Sequence, residues 1–167
     1  MKKNNFSKGY SLIELVVYIS LFVLIAVVVI QSLIYAMKTY SSARNYRALQ
    51  RNAETTLSRL TTEVRSAKTV SISSSSFGVA LGTLALNGVD NNGSPYNPTF
   101  SLVNGVVYIV DSGVSTPLSN SEVIFNELTF WNITTANSDA IKIKTTLSTT
   151  KLPVITKTFY TTVILRE

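Results

Sequence analysis

The chain has 167 residues, a formal charge of +6, and neither cysteine nor histidine. That length holds one modest domain together with a membrane segment. Lack of cysteine removes disulfides and thiolate metal sites, and lack of histidine removes the commonest general base, so no catalytic residue, metal or cofactor is expected.

The basic charge is concentrated rather than spread. Lys2, Lys3 and Lys8 stand without an acid in residues 1–9, and residues 38–70 carry seven basic residues against Glu54 and Glu63. Residues 71–167 hold five basic and six acidic residues, which is close to neutral. The C-terminal half therefore presents no electrostatic footprint for nucleic acid, and DNA as a partner finds no support in its charge.

No glycine or proline occurs between Gly9 and Gly78. The simplest reading is one continuous helix from about Tyr10 to about Val70, roughly 90 Å long at 1.5 Å per residue. Its first part, residues 10–37, contains Glu14 as its one charged residue, and from Leu15 to Met37 there is none. An uncharged run of that length extends roughly 35 Å as a helix, enough to cross a hydrocarbon core with some tilt. Lys38 ends it.

The second part, residues 38–70, is amphipathic. Tyr46, Leu49, Ala53, Leu57, Leu60, Val64 and Ala67 recur three or four residues apart, so one stripe faces a partner surface. Arg59 and Glu63, one turn apart, add a small ion-pair support. Arg44, Arg47 and Arg51 share a face that suits solvent or lipid headgroups better than DNA.

Residues 71–167 read as a β-rich globular head. A serine run at Ser71–Ser76 leads out of the helix. Strands are predicted at Val79–Leu86, Phe100–Val103, Val106–Val110, Glu122–Trp131, Ala140–Leu147 and Thr158–Leu165. Asn104-Gly105 between two of them supplies the positive φ values of a type I′ hairpin. Ile141, Ile143 and Thr145 alternate with Lys142 and Lys144, the pattern of a half-buried strand. Residues 88–98 are rich in Asn, Gly and Pro and read as a loop. Asp90-Asn91-Asn92-Gly93-Ser94 has part of the oxygen spacing of a calcium loop but lacks the downstream acid, so a turn is the better reading. Asn132-Ile133-Thr134 fits a glycosylation sequon, and Tyr18, Tyr35 and Tyr40 suit packing and a membrane interface. The expected fold class is α+β, a long N-terminal helix packed on a small antiparallel sheet.

Lys8-Gly9-Tyr10-Ser11-Leu12-Ile13-Glu14-Leu15 stand immediately before the apolar run. Gly9 leaves room for a protease to take the backbone in a narrow subsite. Lys2, Lys3 and Lys8 favour a cytoplasmic N-terminus, although Lys38, Arg44, Arg47 and Arg51 flank the other end of the run. A carboxylate on a spanning helix costs a few kcal/mol to insert and by default marks a function with a charged partner, so Glu14 is the most informative residue. An ordinary signal peptide has a shorter apolar region followed by a small-residue cleavage site, and Ile34-Tyr35-Ala36 is a poor one.

This segment resembles the leader of type IV pilins and type II secretion pseudopilins. There a basic leader ends in glycine and is followed by an aromatic residue, usually Phe, with Glu at the fifth mature position. Tyr10 stands where Phe is usual, and Glu14 is fifth from it. The resemblance covers about residues 1–40. It implies cleavage between Gly9 and Tyr10 by a prepilin peptidase and N-methylation of Tyr10. It also implies assembly through Glu14, which would pair with the new amine of a neighbouring subunit. The partners implied are other pilin or pseudopilin subunits, an inner-membrane assembly platform and membrane lipid. The expected location is a single pass of the cytoplasmic membrane with the N-terminus inside, then a cell-surface or periplasmic filament. Gln31 replaces the helix-bending proline of many major pilins, and Phe159–Arg166 looks like the closing strand of minor pilins and of the J-type minor pseudopilin. A minor subunit is therefore expected. The alternative is a membrane-anchored adhesin or DNA-uptake receptor that uses the head.

Overall fold

The computed structural model describes residues 11–89, 92–134 and 139–165. Two units are distinguished, Met1–Tyr40 and Ser41–Glu167. A single α-helix, α1 (Leu12–Ser66), contributes to both.

In the first unit, α1 carries the apolar run, and nearly every described side chain of it is exposed. With no proline or glycine inside it, nothing in the sequence breaks the backbone ladder.

In the second unit, residues 41–66 of α1 present the stripe. Leu49, Ala53, Leu60 and Val64 are buried, Ala67 just beyond the helix is buried too, and Leu57 packs at the margin. Tyr46, expected in the stripe, is 44% exposed, and Lys157 Nζ lies 5.6 Å from its ring centroid. The helix stops at Ser66, about one turn before the expected end at Val70. Thr69–Val70 instead forms strand β1, and the Lys68 N–H donates to the Asn87 carbonyl at 2.9 Å. Sheet hydrogen bonds thus take over where no glycine or proline marked a stop. The serine run contains a short 3₁₀ turn, Ile72–Ser74.

The remaining strands are β2 (Leu84–Val89), β3 (Pro95–Tyr96), β4 (Thr99–Val103), β5 (Val106–Asp111), β6 (Val114–Pro117), β7 (Val123–Thr134), β8 (Asp139–Thr149) and β9 (Thr156–Ile164). The fold is α+β, with two antiparallel sheets among the described residues where one was expected. The larger runs β1-β2-β4-β5-β6 with β3 beside β2, and the smaller runs β7-β8-β9. The Asn104-Gly105 hairpin forms as predicted, with φ of 51° and 78° and Val103 paired to Val106. A second turn of the same kind, Ser112-Gly113, joins β5 to β6 and was not foreseen.

The predicted strand Val79–Leu86 begins only at Leu84. The residues before it turn aside and bond to β7. Gly82 N–H donates to the Leu128 carbonyl, Leu128 N–H to the Ala80 carbonyl, and Gly78 N–H to the Phe130 carbonyl, each at 2.8 Å. This contact covers the outer edge of β7 and links the two sheets. Phe100, Leu84 and Leu86 of the larger sheet and Phe125, Leu128, Phe130, Ile141, Ile143 and Leu147 of the smaller join the helix stripe in one core.

Candidate functional site

Glu14 lies in the first turn of α1, where a negative charge is favoured by the helix dipole. Its side chain is exposed and accepts one hydrogen bond, from Tyr18 Oη to Oε1 at 3.1 Å. The spacing of four residues puts both on one helix face. The sequence suits Tyr18 to packing or a membrane interface, and its i, i+4 relation to the acid is the signal for this further contact. One phenol satisfies one acceptor site, and a carboxylate has about four. The remaining capacity of Glu14 is open to a cation.

Gly9, Tyr10, Lys2, Lys3 and Lys8, the expected cleavage, methylation and leader-charge positions, lie outside the described residues. Asp90 and Asn91 of the weak calcium motif do as well. Among the described residues, no group of three or more His, Cys, Asp or Glu side chains converges as a metal site would require.

The apolar run after Glu14 is long and apolar enough to cross a membrane, and α1 is the one such helix among the described residues. It lies near the N-terminus, which is consistent with single-pass anchoring. Within the second unit, Arg44, Arg47 and Arg51 are exposed on the helix. Asn132 of the sequon sits in β7 opposite Ile141, with its side-chain oxygen buried, an unsuitable place for a glycan.

Two charged groups of the second unit are built into structure. Glu63 is buried and held by Arg59 Nη2 at 2.7 Å. It faces Tyr96, whose phenol is pushed above its ordinary value by burial first and then by the Glu63 charge and hydrogen bond. On the outer face of the small sheet, Lys144 Nζ donates to Glu127 Oε1 at 2.7 Å. That hydrogen bond holds the Glu127 carboxyl below the usual carboxylate range; partial burial opposes it, and Thr129 and Thr146 assist. Neither pair sits beside a nucleophile in an enclosed cavity. Open depressions of about 530 and 560 Å³ are lined by residues such as Thr62, Arg65 and Leu165, and Glu54, Ser58 and Arg59.

The sequence reading missed the polar residues that lie buried along the helix stripe. Asn45 Nδ2 donates to the carbonyls of Lys151 and Pro153, both at 3.1 Å, and Asn52 Oδ1 accepts from Asn120 N–H at 3.3 Å. Ser41, only partly buried, donates from Oγ to the Leu152 carbonyl at 3.2 Å. Their positions on the stripe were readable from the spacing; their partners, far along the chain, were not.

No protein-family model matches this chain, and no curated protein or solved structure matches it either. What stands is a long apolar N-terminal helix followed by antiparallel sheets, an architecture compatible with that of a pilin.

Proposed function

We propose that the chain is a structural subunit of a type IV pilus or type II secretion-like pseudopilus, a minor one by its Gln31 and closing strand, and not an enzyme. The observation that carries this reading is Glu14, a first-turn carboxylate on a helix whose apolar side chains are exposed along their whole run. Such a surface is stable in lipid or against copies of itself, and an acid within it calls for a cationic partner. Cleavage after Gly9 supplies one, the α-amine of Tyr10 on a neighbouring subunit. Because an out-of-register neighbour would leave a buried charge unpaired, the pair selects one axial step. Tyr18 holds one carboxylate oxygen and so orients Glu14 before assembly.

Prepilin peptidase, further pilin subunits and the assembly platform are the partners of this reading, and the cytoplasmic membrane is its starting location. The deciding measurement is mass spectrometry of the mature N-terminus. A chain beginning at Tyr10 and carrying an N-methyl group is expected; an unprocessed Met1 in an assembled fibre overturns the reading. Glu14→Ala should leave cleavage intact and reduce incorporation into filaments, and normal incorporation would remove the charge pair.

A further inference from the structure

The loop between β8 and β9 is fastened to α1 with unusual completeness. Three consecutive carbonyls, those of Lys151, Leu152 and Pro153, accept hydrogen bonds from Asn45, Ser41 and Asn45 respectively. Thr149 Oγ1 donates to the Lys151 and Pro153 carbonyls as well, and accepts from the Ile155 N–H at 2.9 Å. Asn45 and Thr149 are buried in making these bonds. With its carbonyls drawn inward, the loop turns its side chains out. Leu152 is 81% exposed and Val154 57%. Buried polar groups thus fix a loop that holds two neighbouring aliphatic side chains, Leu152 and Val154, out towards the surroundings.

The place of the loop explains the choice. Ser41 follows Met37, the last residue of the uncharged run, by four residues, about 6 Å along a helix. The Leu152 carbonyl takes the Ser41 hydroxyl at 3.2 Å, so the loop is tied to the helix about one turn beyond that run. The polar layer on each side of a bilayer is about 5–7 Å thick, so this is the turn of α1 that emerges through the headgroups of a bilayer spanned by the run. Lys151 in the loop and Arg44 on the helix, one residue before Asn45, are exposed and carry the positive charge that an anionic lipid surface attracts. The nearest acid by hydrogen-bond connection is Glu122, whose backbone carbonyl takes the Thr150 N–H at 3.1 Å.

We propose that residues 150–155 form a lipid-docking foot: Leu152 and Val154 insert into the headgroup layer, and Lys151 pairs with lipid phosphate. The foot holds the second unit against the bilayer while the subunit is still membrane-resident, and it is withdrawn when the helix leaves the membrane. This rests on the reading that the apolar run spans the membrane, so the test separates the two.

The chain has no cysteine, so Leu152→Cys, Val114→Cys and Phe22→Cys each give one labelling site in the full protein. Each variant, carrying an environment-sensitive fluorophore, is reconstituted into phosphatidylcholine–phosphatidylglycerol vesicles containing either a headgroup or an acyl-chain spin-labelled quencher. The proposal expects the Phe22 label to be quenched from the acyl chains, the Leu152 label from the headgroups, and the Val114 label, on the exposed β6, severalfold less than Leu152. Quenching at Phe22 with Leu152 no different from Val114 overturns the foot and leaves the span standing. Failure at Phe22 overturns the span, and the foot with it. In a second arm, Leu152→Asp with the label at Val154→Cys should lower the ratio of docked to free loop about tenfold, the low end for burying a leucine. An unchanged ratio would overturn insertion by Leu152.

Discussion

Glu127 and Lys144 meet diagonally across neighbouring strands, Glu127 lying opposite Thr146 and Lys144 opposite Thr129, after a bulge between Phe125 and Glu127 has shifted the register of β7. The bulge lets one carboxylate collect the Lys144 ammonium and the hydroxyls of Thr129 and Thr146. Because its carboxyl is held below the ordinary value in the folded chain, Glu127 contributes stability that is present above the unfolded value. That contribution fades as pH falls through the folded one. Glu127→Gln should therefore melt below the parent at about pH 7, and the gap should close as the pH falls below the ordinary carboxylate value, as thermal melts on acidification will read. A gap that widens on acidification would mean the carboxyl is not stabilised by its neighbours. The alternation in β8 announced that Lys144 faces outward, and it does. Nothing local announced Glu127 as its partner, because a bulge leaves no periodic signature. Buried Asn45, Asn52 and Thr56 were hidden for a related reason: a polar residue on a stripe reads as an interruption until its distant partner is known.

Two hairpin turns of one type differ in what surrounds them. At Gly105, with φ of 78°, an added Cβ would lie 2.7 Å from Ile124 Cγ2, whereas at Gly113, with φ of 81°, it would meet nothing within 4 Å. Gly113→Ala should cost about 1 kcal/mol, the strain of the left-handed backbone alone. Gly105→Ala should cost about 2–4 kcal/mol, since overpacking against a strand is added to that strain. Urea unfolding of the two variants measures the difference, and equal losses would show that Ile124 yields freely. The first turn was legible because Asn-Gly carries its own φ preference. Ser112-Gly113 carries a weaker one, and β6 after it is exposed throughout, with no alternation to read. At the other end of the helix, Ser66 gave no stop signal, since the chain leaves α1 by entering a sheet.

On the scale of the whole chain, the helix stripe is completed by residues that come last. Val163, near the end of β9, and Leu165, just after it, are buried in the same core as Leu49 and Leu60, and Phe159 packs against it. Ending the chain after Thr150 removes all three, a loss of about 5 kcal/mol at 1.5–3 kcal/mol for each buried side chain. That is comparable with the total stability of a domain this size. Such a truncation should leave the second unit open to protease along its length while the parent resists, and a resistant fragment would show that β9 is dispensable. The α+β class and the membrane-capable run were legible because periodicity and length are local properties; the division into two sheets was not, because it depends on which edges meet. One consequence follows from the clasp at Asn45, whose acceptors lie 106 and 108 positions downstream. While the ribosome is still making those residues, the stripe on residues 41–66 of α1 has no sheet to fold against. That half of the helix therefore stays unclothed until β8 and the loop after it have been made, and a chaperone that shields residues 41–66 would act in that interval.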